Sequence, residues 1–317
     1  MPKRNHRLIL ISLVGINLLL ILFAAGFIWR SQISLQTPLP QKLLTETSEP
    51  ITPTSTPLTL TKTSVPSPMS LSPSPAIPTI IPSPTALPDN VQIIGSSAGG
   101  LPILIYRFGT GKRERLIVAG IHGGNEYNTV LLAEQLISIL SSHPEIVPKD
   151  KTLFILPDLN PDGFERSWDI YGRANDHGVD LNHNFPYRWE QEWNRSSCWH
   201  YLTLSGGTSP GSEPETQALM GFVLSHPIEA LISYHSAAMG IFPGGKPPFA
   251  PSLDLARTIA KVSSYPYPPL DTGCDYSGNL TDWAATLGIA SIDIELRNHR
   301  DTDLEQNLTI LNAFLRW

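Results

Sequence analysis

Apolar positions along the chain fall into three regimes. From 8 to 29, "LILISLVGINLLLILFAAGFIW" runs for 22 positions without a charge. At about 1.5 Å per helical residue, such a run crosses a hydrocarbon core of about 30 Å. From 31 to 90 neither a helical nor a strand period is present. From 91 to 317 short apolar runs alternate with amphipathic stretches, the pattern of α/β layering. The runs "LPILIYRF", "RLIVAGI", "TLFILPD", "ALISYH" and "ASIDIEL" predict strands. Several are continuous, as expected for strands buried on both faces. Helices are predicted over 126–142, 212–225, 252–264, 280–287 and 302–316. The second opens on Ser212 and Glu215, a capping-box pair with Pro214 in the first turn. The expected fold is a mixed, mostly parallel central sheet flanked by helices. A long polar stretch, 158–211, interrupts it, and long loops in compact domains are usually functional.

Composition divides the chain into 1–30, 31–90 and 91–317. Lys3, Arg4 and Arg7 precede the apolar run and only Arg30 closely follows it. That bias predicts a transmembrane signal anchor at 8–29, in contact with the lipid bilayer. The N-terminus would then be cytoplasmic and the rest of this single-pass protein outside. A cleaved signal peptide is the rival, although its apolar region is typically about 7–15 residues. Residues 31–90 hold 13 of the 30 prolines, interleaved with Ser and Thr. Such a segment buries too little apolar surface to fold and reads as a disordered linker biased toward polyproline II. Residues 91–317 carry 16 Lys and Arg against 25 Asp and Glu. That balance, without a basic cluster, excludes nucleic acid as a partner. The two cysteines, Cys198 and Cys274, leave open a disulfide or two separate thiols.

Candidate chemistry begins at "GIHGGNEYNT", which places His122 and Glu126 four apart where a strand gives way to a helix. Alone, H-x-x-x-E is a weak pattern. Strand ends, however, collect ligands in open α/β sheets, and His235 in "LISYHSAA" leaves a second strand. Two histidines and a glutamate with an open fourth position form a catalytic zinc arrangement. "GTSPG" fits the serine-hydrolase elbow G-x-S-x-G, but no strand precedes it and Pro210 lacks the N–H an oxyanion hole requires.

The ordered set "GIHGGNEYNT", "LPDLNPDGFER", "RANDHGVDLNHNFP", "GGTSPGSEPETQAL", "ISYHS" and "SIDIELRN" resembles the carboxypeptidase A-like zinc metallopeptidases across nearly all of 91–317. The resemblance implies one zinc ion held by His122, Glu126 and His235. It further implies Glu295 as general base and Arg173 as support for the oxyanion. Asn182, His183 and Tyr276 fall at substrate-binding positions, Tyr276 after a gap of about two residues. Two positions depart from the family pattern. The usual spacing is H-x-x-E, and Gly123-Gly124 offers the backbone freedom to absorb one more residue. His183 stands where these carboxypeptidases carry the arginine that grips a C-terminal carboxylate, and an imidazole offers at most two donors.

The sequence thus reads as a membrane-anchored, extracytoplasmic zinc metallopeptidase acting on peptides. The small bacterial members that hydrolyse peptidoglycan peptides at the D-glutamyl–diaminopimelate bond are the most similar in pattern. Two other readings stay open: a related zinc deacylase, and a non-catalytic peptide-binding module on a stalk.

Overall fold

The structure is a computed structural model that describes residues 87–237 and 240–317. The predicted anchor at 8–29 and most of the predicted linker lie outside the described residues. Among the described residues no helix is long and apolar enough to cross a membrane.

Seven strands form one sheet: β1 (Val91–Ser96), β2 (Pro102–Gly109), β3 (Arg113–Val118), β4 (Lys151–Leu156), β5 (Ile228–Ser236), β6 (Ile241–Pro243) and β7 (Ala290–Leu296). Their spatial order is β1-β2-β4-β3-β5-β7-β6. The central pairs β4–β3, β3–β5 and β5–β7 are parallel, whereas β1–β2, β2–β4 and β7–β6 are antiparallel. The sheet is therefore mixed, with parallel pairing confined to the middle.

The continuous apolar runs belong to those middle strands, and alternate residues serve two cores. Ile117 on β3, Leu153 and Ile155 on β4, and Ile232 and Tyr234 on β5 face one core. That core is closed by helices α1 (Tyr127–Ser142), α4 (Ala250–Ala260) and α6 (Leu304–Arg316). Leu116 and Val118, Phe154 and Leu156, and Leu231 face the other. There α3 (Pro214–Ser225) and α5 (Leu280–Thr286) cover them, while the short α2 (Pro161–Arg166) lies in the loop region after β4.

Two strands lacked a sequence signal. β1 is half exposed along its length, and β6 has only three residues. The predicted capping box is also not formed. α3 starts at Pro214 with Glu213 as N-cap and no side-chain cap bond. Ser212 Oγ instead donates to Glu213 Oε1 (2.6 Å), and Glu215 Oε1 accepts from the Ala98 backbone N–H at 2.8 Å. The adjacent carboxylate takes Ser212, and a distant backbone N–H takes Glu215, away from the local cap.

β3 is flanked by β4, reached through α1, and on its other side by β5, to which the chain returns later. A crevice opens where neighbouring connections diverge in this way, outside the carboxyl ends of the strands. The cleft described next lies there.

Candidate active site

His122 follows β3, and Gly123–Glu126 make one tight 3-10 turn before α1. Gly123 has φ +45°, and a Cβ at Gly124 would run into the Ser167 carbonyl, so these two glycines let the turn nest against the 160–172 loop. The tightened turn brings Glu126 back beside His122 despite the extra residue: His122 Nδ1 lies 2.8 Å from Glu126 Oε1. His235, one residue from the end of β5, places Nδ1 3.2 Å from Glu126 Oε2 and 3.3 Å from His122 Nδ1. All three residues are buried.

This trio suits a zinc ion. Tetrahedral bonds of about 2.1 Å separate donor atoms by about 3.4 Å, close to the spacings found here. The outer nitrogens have their own partners: His122 Nε2 is 3.2 Å from Asp180 Oδ1, and His235 Nε2 is 3.0 Å from Ser233 Oγ. Protons held at Nε2 by those oxygens leave both Nδ1 lone pairs free for a metal. The three side chains are also strongly coupled in charge. Burial would raise the Glu126 carboxyl, but the imidazoles of His122 and His235 hold it well below its ordinary range. Burial opposes charge on His235 too, yet Asp293 and Glu126 lift it well above the usual histidine value.

Glu295, on β7, is register-paired with His235 on β5. Its Oε2 is buried without a hydrogen-bond partner, and burial followed by the charge of Glu126 pushes its carboxyl up to about 8. Arg173, buried in the loop after α2, has its backbone C=O held by Asn160 Nδ2 (3.0 Å). Its Nε donates to Asp180 Oδ2 at 2.7 Å, Nη1 lies 3.3 Å from Glu126 Oε1 and Nη2 2.9 Å from His122 Nε2. Burial would lift Asp180, but Arg173 and His122 hold it well below the carboxylate norm.

The remaining predicted residues line the same cleft, which has a volume of about 660 Å³. Asn182 Oδ1 accepts from the Leu280 N–H (3.2 Å). His183 stacks flat on Trp193 with centroids 3.6 Å apart, and its Nδ1 is 3.4 Å from Ser277 Oγ. Burial, only partly opposed by Asp180, drives its imidazole down to about 4, so His183 is neutral near pH 7. Tyr276 sits 6.3 Å from the His183 ring, and burial with the Glu295 charge raises its phenol to about 12. Cys198 and Cys274 form a disulfide joining two segments of the rim.

Four participants carried no sequence signal of their own. Ser233 and Asp293 lie inside apolar strand runs, where only the pleat turns them toward His235. Lys246 reaches Asp275 Oδ1 (3.0 Å) and the Tyr276 carbonyl (2.6 Å) across the cleft mouth. Trp199 lies over Arg173. Asp180 lies within the motif "RANDHGVDLNHNFP" but was not singled out there; its role comes from its partners Arg173 and His122.

The zinc carboxypeptidase family matches residues 85–311. Murein peptide amidase A of Escherichia coli strain K12 is 29% identical over 242 residues, covering 73% of this chain and 92% of that protein. Mast cell carboxypeptidase A of Rattus norvegicus is 30% identical over 240 residues, covering 65% and 58%. Among solved structures, the murein-tripeptide amidase of Escherichia coli O157 is similar at a TM-score of 0.53 and 26% identity, covering 73% of this chain and 94% of the other. Bovine thrombin-activatable fibrinolysis inhibitor, at 24% identity, shares the fold at a TM-score of 0.57, covering 72% and 90%.

Proposed function

The chain belongs to the zinc carboxypeptidase family, and we propose that it is a hydrolase of cell-wall peptides; from the uncharged apolar run at 8–29 and its flanking charges we infer a tether that places it outside the membrane. It is a peptidase or amidase by family, and the family's single zinc ion suits the His122, Glu126 and His235 trio. The substrate reading is carried by likeness to murein peptide amidase A over 92% of that protein's length. His183 bears on how the leaving residue is held rather than on which bond is cut: a neutral stacked imidazole does not make the bidentate pair that a guanidinium makes with a carboxylate.

A bound zinc ion supplies Lewis-acid polarisation of the scissile carbonyl and lowers the pKa of a water molecule. Glu295 takes the proton that the attacking water sheds and delivers it to the leaving nitrogen. Its unpartnered Oε2 is available to that transfer. Arg173 aims its guanidinium donors at the oxygen that gains negative charge, and Asp180 fixes their direction through Nε. Asn182 and Tyr276 line the cleft, and in this reading they contact the leaving residue.

The test is product analysis by mass spectrometry. Purified protein is incubated with L-alanyl-γ-D-glutamyl-meso-diaminopimelate and with ordinary peptides bearing free C-termini, with and without chelator. Release of diaminopimelate that chelator abolishes supports this reading. Cleavage of the ordinary peptides alone would make the chain a plain carboxypeptidase.

A further inference from the structure

Arg173 is surrounded by groups that change when the metal site is filled. His122 Nε2 lies 2.9 Å from Arg173 Nη2 as well as 3.2 Å from Asp180 Oδ1, and it accepts from the guanidinium only in the tautomer that leaves Nε2 bare. A metal taking the Nδ1 lone pair places the ring proton on Nε2, where it belongs to Asp180 Oδ1 at 3.2 Å. Arg173 Nη2 then loses that acceptor. Glu126, whose Oε1 is 3.3 Å from Nη1, would likewise share its carboxylate with a metal held by the trio. Filling the site therefore frees the two donors that substrate needs and removes two of the contacts that held them.

Two anchors do not depend on the metal. One is Asp180, bound to Nε at 2.7 Å. The other is Trp199, whose ring lies 4.5 Å from the Arg173 Cζ. Trp199 lines the cleft, and its backbone is not left to wander. Its neighbour Cys198 is bonded to Cys274, Arg195 Nη1 donates to the Leu202 carbonyl at 2.9 Å, and the Trp199 side chain packs on the small cluster of Ala174, Trp193 and Leu204. A flat ring against a guanidinium restrains tilt while leaving all in-plane N–H donors open.

We infer that Trp199 is a positioning residue for this reaction, holding the Arg173 guanidinium plane so that Nη1 and Nη2 meet the developing oxyanion. This rests on the oxyanion role of Arg173 in the preceding reading. Asp180 fixes one edge of the guanidinium and Trp199 its plane, so the pair defines an orientation that neither defines alone.

The experiment compares two ligands on zinc-loaded protein by calorimetry. One is the phosphinate analogue of L-alanyl-γ-D-glutamyl-meso-diaminopimelate, a stable tetrahedral anion; the other is free meso-diaminopimelate, a product without one. Arg173→Ala weakens the phosphinate about 10²–10³-fold, the range for one lost oxyanion donor. Trp199→Ala weakens it about tenfold, the upper range for a desolvated cation–π contact, and leaves diaminopimelate within about twofold. Trp199→Phe recovers most of the loss, and zinc content is unchanged in all three.

A Trp199→Ala protein that binds the phosphinate like wild type, while Arg173→Ala does not, overturns the inference alone. Equal weakening of both ligands also overturns it, making Trp199 a cleft wall. Phosphinate binding indifferent to Arg173→Ala sinks the oxyanion role beneath both. If wild type binds neither ligand, the substrate reading fails, and the ring-current-shifted Nε–H resonance of Arg173 decides the stacking. Its loss on zinc loading overturns the inference, and its persistence upholds it.

Discussion

Glu295 and the metal trio sit within one buried space yet answer to different tests. Glu295→Gln keeps the shape and removes only the base, so zinc content stays at wild type while turnover falls about 10²–10⁴-fold. Metal analysis beside a rate assay checks this, and undiminished turnover would remove Glu295 from the proton path. His183 makes a prediction about pH instead. Its native pKa of about 4 lies below the unfolded value of about 6.5. Between those values the unfolded chain binds a proton that the native state refuses, so stability falls as the pH falls through that window. The loss amounts to about 3 kcal/mol over the whole window. Replacing His183 by Gln abolishes that component, so urea midpoints of the two proteins converge toward pH 4 relative to their separation at pH 7. Parallel midpoint curves would contradict a neutral His183. His122, His235 and Glu295 were legible because each lies at or near the end of a strand run within a quoted motif, and Glu126 because it opens the predicted helix four residues after His122. Asp293, Ser233 and Trp199 were not, since nothing in a linear pattern tells which polar residue in an apolar strand, or which loop tryptophan, will face a site assembled from distant segments.

At the scale of elements, the loop from 158 to 211 holds the cleft together by side-chain capping added to the core burial of Leu159, Leu181 and Phe185. Asn160 is the N-cap of α2: its Oδ1 accepts from the Gly163 N–H at 3.0 Å while its Nδ2 holds the Arg173 carbonyl. Asn160→Ala loses both, costing about 1–3 kcal/mol and loosening the Arg173 backbone. The expected outcome is a lower melting temperature together with a fall in kcat that exceeds any change in KM. A melting shift with unaltered kcat would detach Asn160 from the site. The disulfide stabilises the facing rim. Replacing Cys198 and Cys274 together by serine removes a link closing a 76-residue separation, worth up to about 4 kcal/mol in the chain-entropy account. Denaturant midpoints of the two proteins check that figure. Helices and middle strands were legible because their periodicity is tied to deep burial. β1, β6 and the missing capping box were not, because an exposed edge strand has little hydrophobic contrast and a local cap yields to any better distant partner.

For the whole molecule, the predicted arrangement places a catalytic domain at the end of a proline-rich tether. Removing residues 1–30 should shift the protein from the membrane fraction to the soluble fraction without changing turnover by the purified protein. Equal partition of both forms would refute the anchor. The mixed α/β character of the sheet was legible from its alternating runs, but its order was not, since the sequence does not say which side of β3 receives β5. That order governs when the enzyme becomes dangerous. β7, which carries Glu295, is the last strand in the chain and lies between β5 and β6, both made before it. A growing polypeptide therefore completes its metal-binding trio some sixty residues before its proton carrier can enter the sheet. Until β7 inserts between β5 and β6, the chain has its three metal-ligating residues but no Glu295 in the sheet, so in the proposed reaction it is β7 that completes the site.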